Sequence, residues 1–194
     1  MRAISAACAL LTLTGTLAGC ALFGGSSTAT SASAPGLAQL AWCDQPYLNF
    51  VDANSTTLSP INDWSQVRDQ LGFTLYLPAS LPKGSCLALA GGSIHDPIYG
   101  AHVSLTWDVA PDQQPLSFSE APKRATGANV QCEASAQDAN VSICLGTISG
   151  TSITMVARKS PADLQAIFNA LKPNVEWLPS DTQQLQATPT ATQG

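Results

Sequence analysis

The stretch "AHVSLTWDV", Ala101–Val109, decides the fold. Val103, Leu105, Trp107 and Val109 alternate with Ser104, Thr106 and Asp108. A period of two fits a strand with one face buried and the other wet, whereas a helix repeats its apolar residues three and four apart. The same rhythm recurs on both sides of this stretch. "PLSFSEAP" alternates through Leu116 and Phe118, and Thr151–Ala157 through Ile153 and Met155. Ser85–Ala90 reads as a further strand, and "YLNFV", Tyr47–Val51, as a short one. In "FTLYLP", Phe73, Leu75 and Leu77 point one way, and Thr74 and Tyr76 the other.

Two helices frame these strands. Asn62 caps the first, Trp64, Val67 and Leu71 share its apolar face, and Gly72 closes it. Ser160 caps the second, with Pro161 at the first helical position and Asp163 at the third. Leu164, Ile167, Phe168 and Leu171 form its stripe, Lys172 complements its C-terminal dipole, and Pro173 ends it. Pro78, Pro82 and the Lys83-Gly84 turn interrupt the chain, and "GGSIHDPIYG", Gly91–Gly100, reads as a loop. The connections look short and hairpin-like, with no long crossover. The expectation is therefore an α+β fold: a mainly antiparallel sheet of about six to seven strands with an early and a C-terminal amphipathic helix packed on it. No internal repeat is visible.

The ends have a different composition. Arg2 precedes an apolar run, Ala6–Ala18, too short for the roughly 20 residues that a membrane-spanning helix needs. Leu17-Ala18-Gly19-Cys20 follows and resembles the bacterial lipobox. That resemblance implies that residues 1–19 are a lipoprotein signal peptide and that Cys20 is cleaved free and lipidated. More than one acyl chain is expected there, because a single chain holds a membrane only marginally. Gly24–Gly36, rich in Gly, Ser, Thr and Ala, completes a flexible tether over residues 20–36. One folded unit is expected over residues 37–179, followed by a disordered Gln/Thr/Pro/Ala tail over 180–194. The localisation implied is the extracytoplasmic face of a cell membrane, with the membrane itself as a partner through the lipid on Cys20. The formal charge is −5, and loss of Arg2 with the signal makes it −6. Lys123-Arg124 and Arg158-Lys159 are the basic pairs, far short of a phosphate-binding patch, so nucleic acid is not an expected partner.

Cys8 leaves with the signal and Cys20 carries lipid, so Cys43, Cys86, Cys132 and Cys144 remain. An even set in an exported domain points to two disulfides, and four cysteines allow three pairings. A hairpin turning about Asp138 would set Cys132 opposite Cys144. That leaves Cys43 for Cys86, stapling the N-terminal segment to an early strand. No Cys-x-x-Cys occurs and no His lies near any of the four, so the cysteines do not read as a metal or redox site.

"GFTLYLPASLPKG" together with "SGTSITMVARKSPADLQAIFNALKP" resembles an uncharacterised extracytoplasmic domain family found in bacterial lipoproteins and beside anti-sigma-factor-like segments. Phe73, Leu77-Pro78, Leu81-Pro82, Gly84, Gly150, Ser160 and Asp163 carry the resemblance, which spans Gly72–Pro173. The early helix and the four cysteines depart from it. It implies a binding, sensing or scaffold role and no known activity.

No catalytic, metal or cofactor motif stands out. His95, Asp96 and His102 match no common zinc spacing, and His102 falls on the wet parity of its strand. No Gly-x-Ser-x-Gly presents a nucleophile. Asn54-Ser55-Thr56 and Asn140-Val141-Ser142 match the glycosylation sequon, which a bacterial lipoprotein would not use. Trp107 belongs to the core, Trp64 covers the sheet from the first helix, Trp42 packs near the disulfide staple, and Trp177 closes an edge of the core. The expected function is that of a non-enzymatic envelope lipoprotein whose domain binds or senses an envelope protein or an apolar ligand. The alternatives are a carrier of a lipid or other apolar ligand, with a cavity lined by residues such as Leu75, Trp107, Phe118 and Phe168, and a hydrolase with an unrecognised site. The anchor is directly testable. Cys20→Ser is expected to abolish incorporation of labelled palmitate and to move the protein from the membrane fraction to the soluble one; unchanged membrane retention would contradict the lipobox reading.

Overall fold

The structure is a computed structural model and describes residues 33–55, 60–123, 130–180 and Thr182. Cys20, the signal segment and most of the tether lie outside the described residues.

After a single 3-10 turn at Leu37–Gln39, the strands are β1 (Ala41–Trp42), β2 (Leu48–Asp52), β3 (Tyr76–Leu77), β4 (Cys86–Asp96), β5 (Gly100–Val109), β6 (Gln114–Pro122), β7 (Gln131–Ala134), β8 (Ser142–Ile148), β9 (Thr151–Ala157) and β10 (Lys172–Pro173). Helix α1 (Trp64–Arg68) lies between β2 and β3, and α2 (Pro161–Asn169) between β9 and β10. The main sheet runs β1-β4-β5-β6-β9-β8-β7, with β2 also paired to β4, and β3 and β10 form a separate two-stranded sheet.

This is a mostly β fold, not the α+β fold expected from sequence. One eight-stranded sheet dominates, α1 has only five residues and α2 nine. Both helices came out shorter for local reasons. Asp63, not Asn62, caps α1 by accepting from Ser65 N at 2.9 Å, and the helix stops at Arg68, before Gly72. Ser160 caps α2 as expected, with Leu164 and Phe168 buried, but Lys172 and Pro173 leave the helix and pair with β3. The sheet grew where a loop was expected. Gly91–Asp96 continues β4, because strand residues with little or no side chain still form ladder hydrogen bonds. "FTLYLP" contributes only Tyr76–Leu77, both buried, so its alternation does not separate two faces.

The edge of the sheet also departs from the antiparallel expectation. β1 and β2 run parallel to β4, Ala41 opposite Cys86 and Leu48–Asp52 opposite Ala90–Ile94. A parallel neighbour requires a crossover, and the chain from Asp52 to Cys86 supplies one, carrying α1 and β3. Gly91 and Gly92 make room for β2. A Cβ on Gly91 would lie 2.7 Å from the Asn49 carbonyl oxygen, and one on Gly92 would run into the His102 carbonyl and the Phe50 ring.

The alternation in β5 holds residue by residue. Val103, Leu105, Trp107 and Val109 are buried, while Ser104, Thr106 and Asp108 are half-buried on the other face. Cross-strand partners on the core face extend the layer: Leu105 faces Phe118, which faces Met155, which faces Cys144. Trp107 meets Phe118 edge to face at 5.6 Å between ring centres. Burying side chains of this size stabilises by about 1.5–3 kcal/mol each. α2 closes this layer over β7, β8 and β9, with Phe168 packed where a Cβ on Gly146 would otherwise stand.

The chain ends are tied in further than expected. Gly36 bridges to Ser80, and Thr182 is buried and accepts from Trp42 Nε1. Trp42 therefore anchors the C-terminal segment.

Among the described residues, one acid lies inside the core. Glu120 of β6 is 1 % exposed between Val103 of β5 and Ile153 of β9. Its Oε2 accepts from Tyr76 N at 3.0 Å, and its Oε1 has no partner. Burial pushes this carboxyl from the ordinary 4.5 up to about 8, against the smaller opposing effect of the Tyr76 N–H. The sign follows by linkage. Below pH 4.5 the group is neutral folded and unfolded and costs nothing in ionisation; between 4.5 and about 8 only the unfolded chain gives up the proton, so stability falls as pH rises. Glu120→Gln is expected to stabilise the fold at pH 7.5 by about 2–4 kcal/mol and to flatten its decline over that window. Denaturant titrations across the window check this, and an unchanged pH profile in the variant would contradict it.

Candidate functional site

The sequence candidates disperse in the structure. His102 on β5 is half-buried on the face it shares with Ser104 and Thr106, with Nδ1 2.9 Å from Ser93 Oγ. His95, at φ 55° where the β4–β5 register shifts, has Nδ1 3.0 Å from Asp52 Oδ1. Asp52 is held below the ordinary carboxylate range first by the Asn54 amide and then by His95. Asp96 Oδ1 accepts from the Ile98 and Tyr99 amides and closes the β4–β5 turn. Thus His95, Asp96 and His102 serve three separate local contacts. Ser93, the one serine bonded to a histidine among the described residues, is 4 % exposed and offers no accessible nucleophile.

The structure joins Cys43 to Cys86 and Cys132 to Cys144. Cys132 sits directly opposite Cys144 on β7 and β8, so the second bond ties the edge strand to its neighbour. The first ties the end of β1 to the start of β4. Asp108 lies beside it, and the ligand atoms of Cys43, Cys86 and Asp108 fall within 4.8 Å of one another. With both sulfurs bonded to each other, neither offers the thiolate that would bind a metal.

The open face of the main sheet is lined with small hydroxyl residues. Thr106 and Ser117 bond across β5 and β6 at 2.9 Å, and Ser104 faces Ser119.

The described residues show Trp107, Phe118 and Phe168, three of the residues that would line the carrier alternative's cavity, packed in the core. Leu75 alone of that set borders open space, and it borders a different cavity. A groove of about 440 Å³ opens between α1, the segment leading into β3, and the segment after β10. That size falls in the range of small-molecule sites, about 300–1,000 Å³. Leu71, Leu75, Trp177 and Leu178 are its buried apolar residues; Trp64 and Phe73 are half-buried on its walls. Ser65, Arg68, Asn174 and Glu176 supply its polar groups.

Each element places its part for a local reason. Asp63 starts α1 so that Trp64, Ser65 and Arg68 project from one short helix. Trp64 rests on Phe50 of β2 at 5.6 Å and meets Trp177 edge to face at 4.9 Å. Asn174, with φ 54°, turns the chain after β10 and donates its amide to the Leu75 carbonyl at 3.0 Å, which aims Val175–Leu178 back along the groove. The Trp177 indole N–H is buried without a partner. Arg68 pairs with Asp69 at 3.0 Å in an exposed position, where an ion pair contributes little.

Sequence reasoning placed Trp64 and Trp177 in packing roles and did not single out Phe73, Arg68 or Glu176 as groove residues. No spacing links α1 to the segment after α2, so the groove has no signature in one dimension. No protein-family model matches the chain, and no curated protein matches it. Among the described residues, no helix is long and apolar enough to cross a membrane.

Proposed function

We propose that this chain is a lipid-anchored extracytoplasmic binding protein, and that its ligand site is the groove between α1 and the segment after β10. The groove carries the proposal. It combines an apolar floor with two partly uncovered aromatic walls and a few polar groups, the composition of sites that take small ligands. Its ligand has an apolar or aromatic body, which Trp64, Phe73 and Leu75 cover, and a polar end facing Arg68, Asn174 and Glu176. Two disulfides fit an oxidising compartment outside the cytoplasm. The lipobox at Leu17–Cys20 and the resemblance over Gly72–Pro173 support the anchor and the envelope setting. A non-catalytic role is supported by the dispersal of the histidines and by the burial of Ser93.

The carrier alternative, in which sheet and helices enclose a lipid, is less well supported, because Trp107, Phe118 and Phe168 are buried and the open space lies at the groove. The ligand is instead held at the border of the domain.

Titration with the fluorescent amphiphile anilinonaphthalene sulfonate tests the site. The folded protein is expected to bind one equivalent saturably. Phe73→Ser is expected to weaken that binding by about tenfold, equivalent to about 1.4 kcal/mol, while the thermal midpoint stays within a few degrees. Equal affinity in the folded variant would place the site elsewhere.

A further inference from the structure

We infer that a second copy of this chain docks on the open side of the main sheet, face to face, about a two-fold axis running along β6. None of the residues that carry this surface borders the groove.

Register defines the surface. α2 packs over β7, β8 and β9 from the core side, where Phe168 meets Gly146. On the other side two rows of side chains cross β4, β5, β6, β9 and β8. One row runs Gly91, Ser104, Ser119, Thr154, Leu145. The next runs Leu89, Thr106, Ser117, Val156, Ile143. The middle of each row is mostly hydroxyl-bearing, and the large apolar residues stand toward the ends. Tyr47 belongs to the β4 end, because Asn49, opposite Gly91, donates to its hydroxyl at 3.3 Å. Tyr47, Leu89 and Leu145 are 51 %, 39 % and 50 % exposed, and only Ile98 and Tyr99 join them as exposed large apolar residues among the described residues. Exposed apolar side chains gathered on one face mark a contact surface.

Three features select a second copy as the occupant. The first is symmetry. Turning one sheet over about an axis along β6 lays β4 on β8 of the other copy and β5 on its β9, with each row kept in place. Leu89 of one copy then meets Ile143 of the other, and Leu145 meets the bare backbone of Gly91. Small hydroxyl residues between these contacts let the two sheets approach closely.

The second feature is charge. The chain carries a formal charge of −5, which holds copies apart. Within β5, β6, β8 and β9, Asp108 is the one acid on this face, since Glu120 is in the core. Asp108 stands opposite Pro115, and the neighbouring Leu116 stands opposite Ala157. Arg158 follows Ala157 on the parity of Val156, so it closes the same row just past the end of β9. With β5 laid on β9, Asp108 of each copy meets Arg158 of the other. Arg158 is exposed and pairs with Asp138 of its own chain at 3.1 Å, and its five N–H donors can serve a second carboxylate.

The third feature is area. Five strands about 4.8 Å apart, each showing about seven residues at about 3.3 Å, cover roughly 550 Å² in projection. Two such faces together bury about 1,100 Å², above the roughly 1,000 Å² that a specific interface clears.

Sedimentation of the full chain tests this, with Cys20→Ser in place so that no detergent is needed. It is expected to run as a dimer at about 100 μM and to dissociate on dilution with a micromolar Kd. Ser119→Arg sets two cations against each other on the axis and is expected to raise Kd at least about tenfold. Asp108→Arg or Arg158→Asp alone is expected to weaken the dimer as well, and the two together to restore it. Circular dichroism checks that each variant is folded. A monomer at every concentration overturns the second copy. A dimer that folded Ser119→Arg leaves unchanged overturns this face. If that variant does not fold, the charge exchange decides: a dimer that neither single exchange weakens, or that their combination does not restore, overturns the two-fold arrangement.

Discussion

The groove depends on a close approach between two backbones. Gly91 and Gly92 leave β4 without side chains at two of the five positions where β2 lies alongside it. Phe50 fills the space over Gly92 and is completely buried. Trp64 rests on Phe50, and Trp177 rests on Trp64. This run of three aromatic rings leads from the sheet edge to the groove. It also explains the parallel edge. An antiparallel partner for β4 could come from a hairpin, but β2 comes from a crossover, and that crossover is the segment that carries α1.

The disulfide between Cys43 and Cys86 holds β1 against the start of β4, and the one between Cys132 and Cys144 holds β7 against β8. Such cross-links stabilise a small domain by roughly 2–4 kcal/mol each. Both lie in the main sheet, and neither reaches β3 or β10. The layer around Trp107, Phe118 and Met155 is closed by α2. The small β3–β10 sheet is attached by the burial of Tyr76 and Leu77 and by hydrogen bonds to Glu120 and Thr151, and the buried acid costs stability near neutral pH.

The strong strands were legible because alternation survives wherever one face is buried, as Val103, Leu105 and Trp107 show. The second helix was legible from Ser160, Pro161 and Asp163, and the hairpin bearing Cys132 and Cys144 from its turn residues. The dominance of the sheet was not. Gly91–Asp96 contains two glycines and a histidine-aspartate pair, which locally favour a loop, and cross-strand bonds to β5 override that preference. The α1 stripe of Trp64, Val67 and Leu71 suggested a longer helix, yet most helical stability comes from packing, and only Val67 within α1 is fully covered. Lys172-Pro173 read as a helix end but pairs with β3, a long-range contact that no local signal announces. The groove was the least legible feature, since its walls come from three segments that meet only in the fold. Glu120 was hidden for a related reason: its place in "PLSFSEAP" follows the buried parity of Leu116 and Phe118, a conflict with its charge that the structure resolves by keeping the carboxyl neutral.

The most direct test uses the four indoles as reporters of position. In nitrogen-15 spectra of the indole N–H groups, titration with anilinonaphthalene sulfonate at pH 5.5 is expected to shift Trp64 and Trp177, which line the groove. Trp107, sealed in the core, is expected to stay in place, and Trp42, bonded to Thr182, to move little. Binding that shifts Trp107 while leaving Trp64 and Trp177 unmoved would contradict the groove as the ligand site.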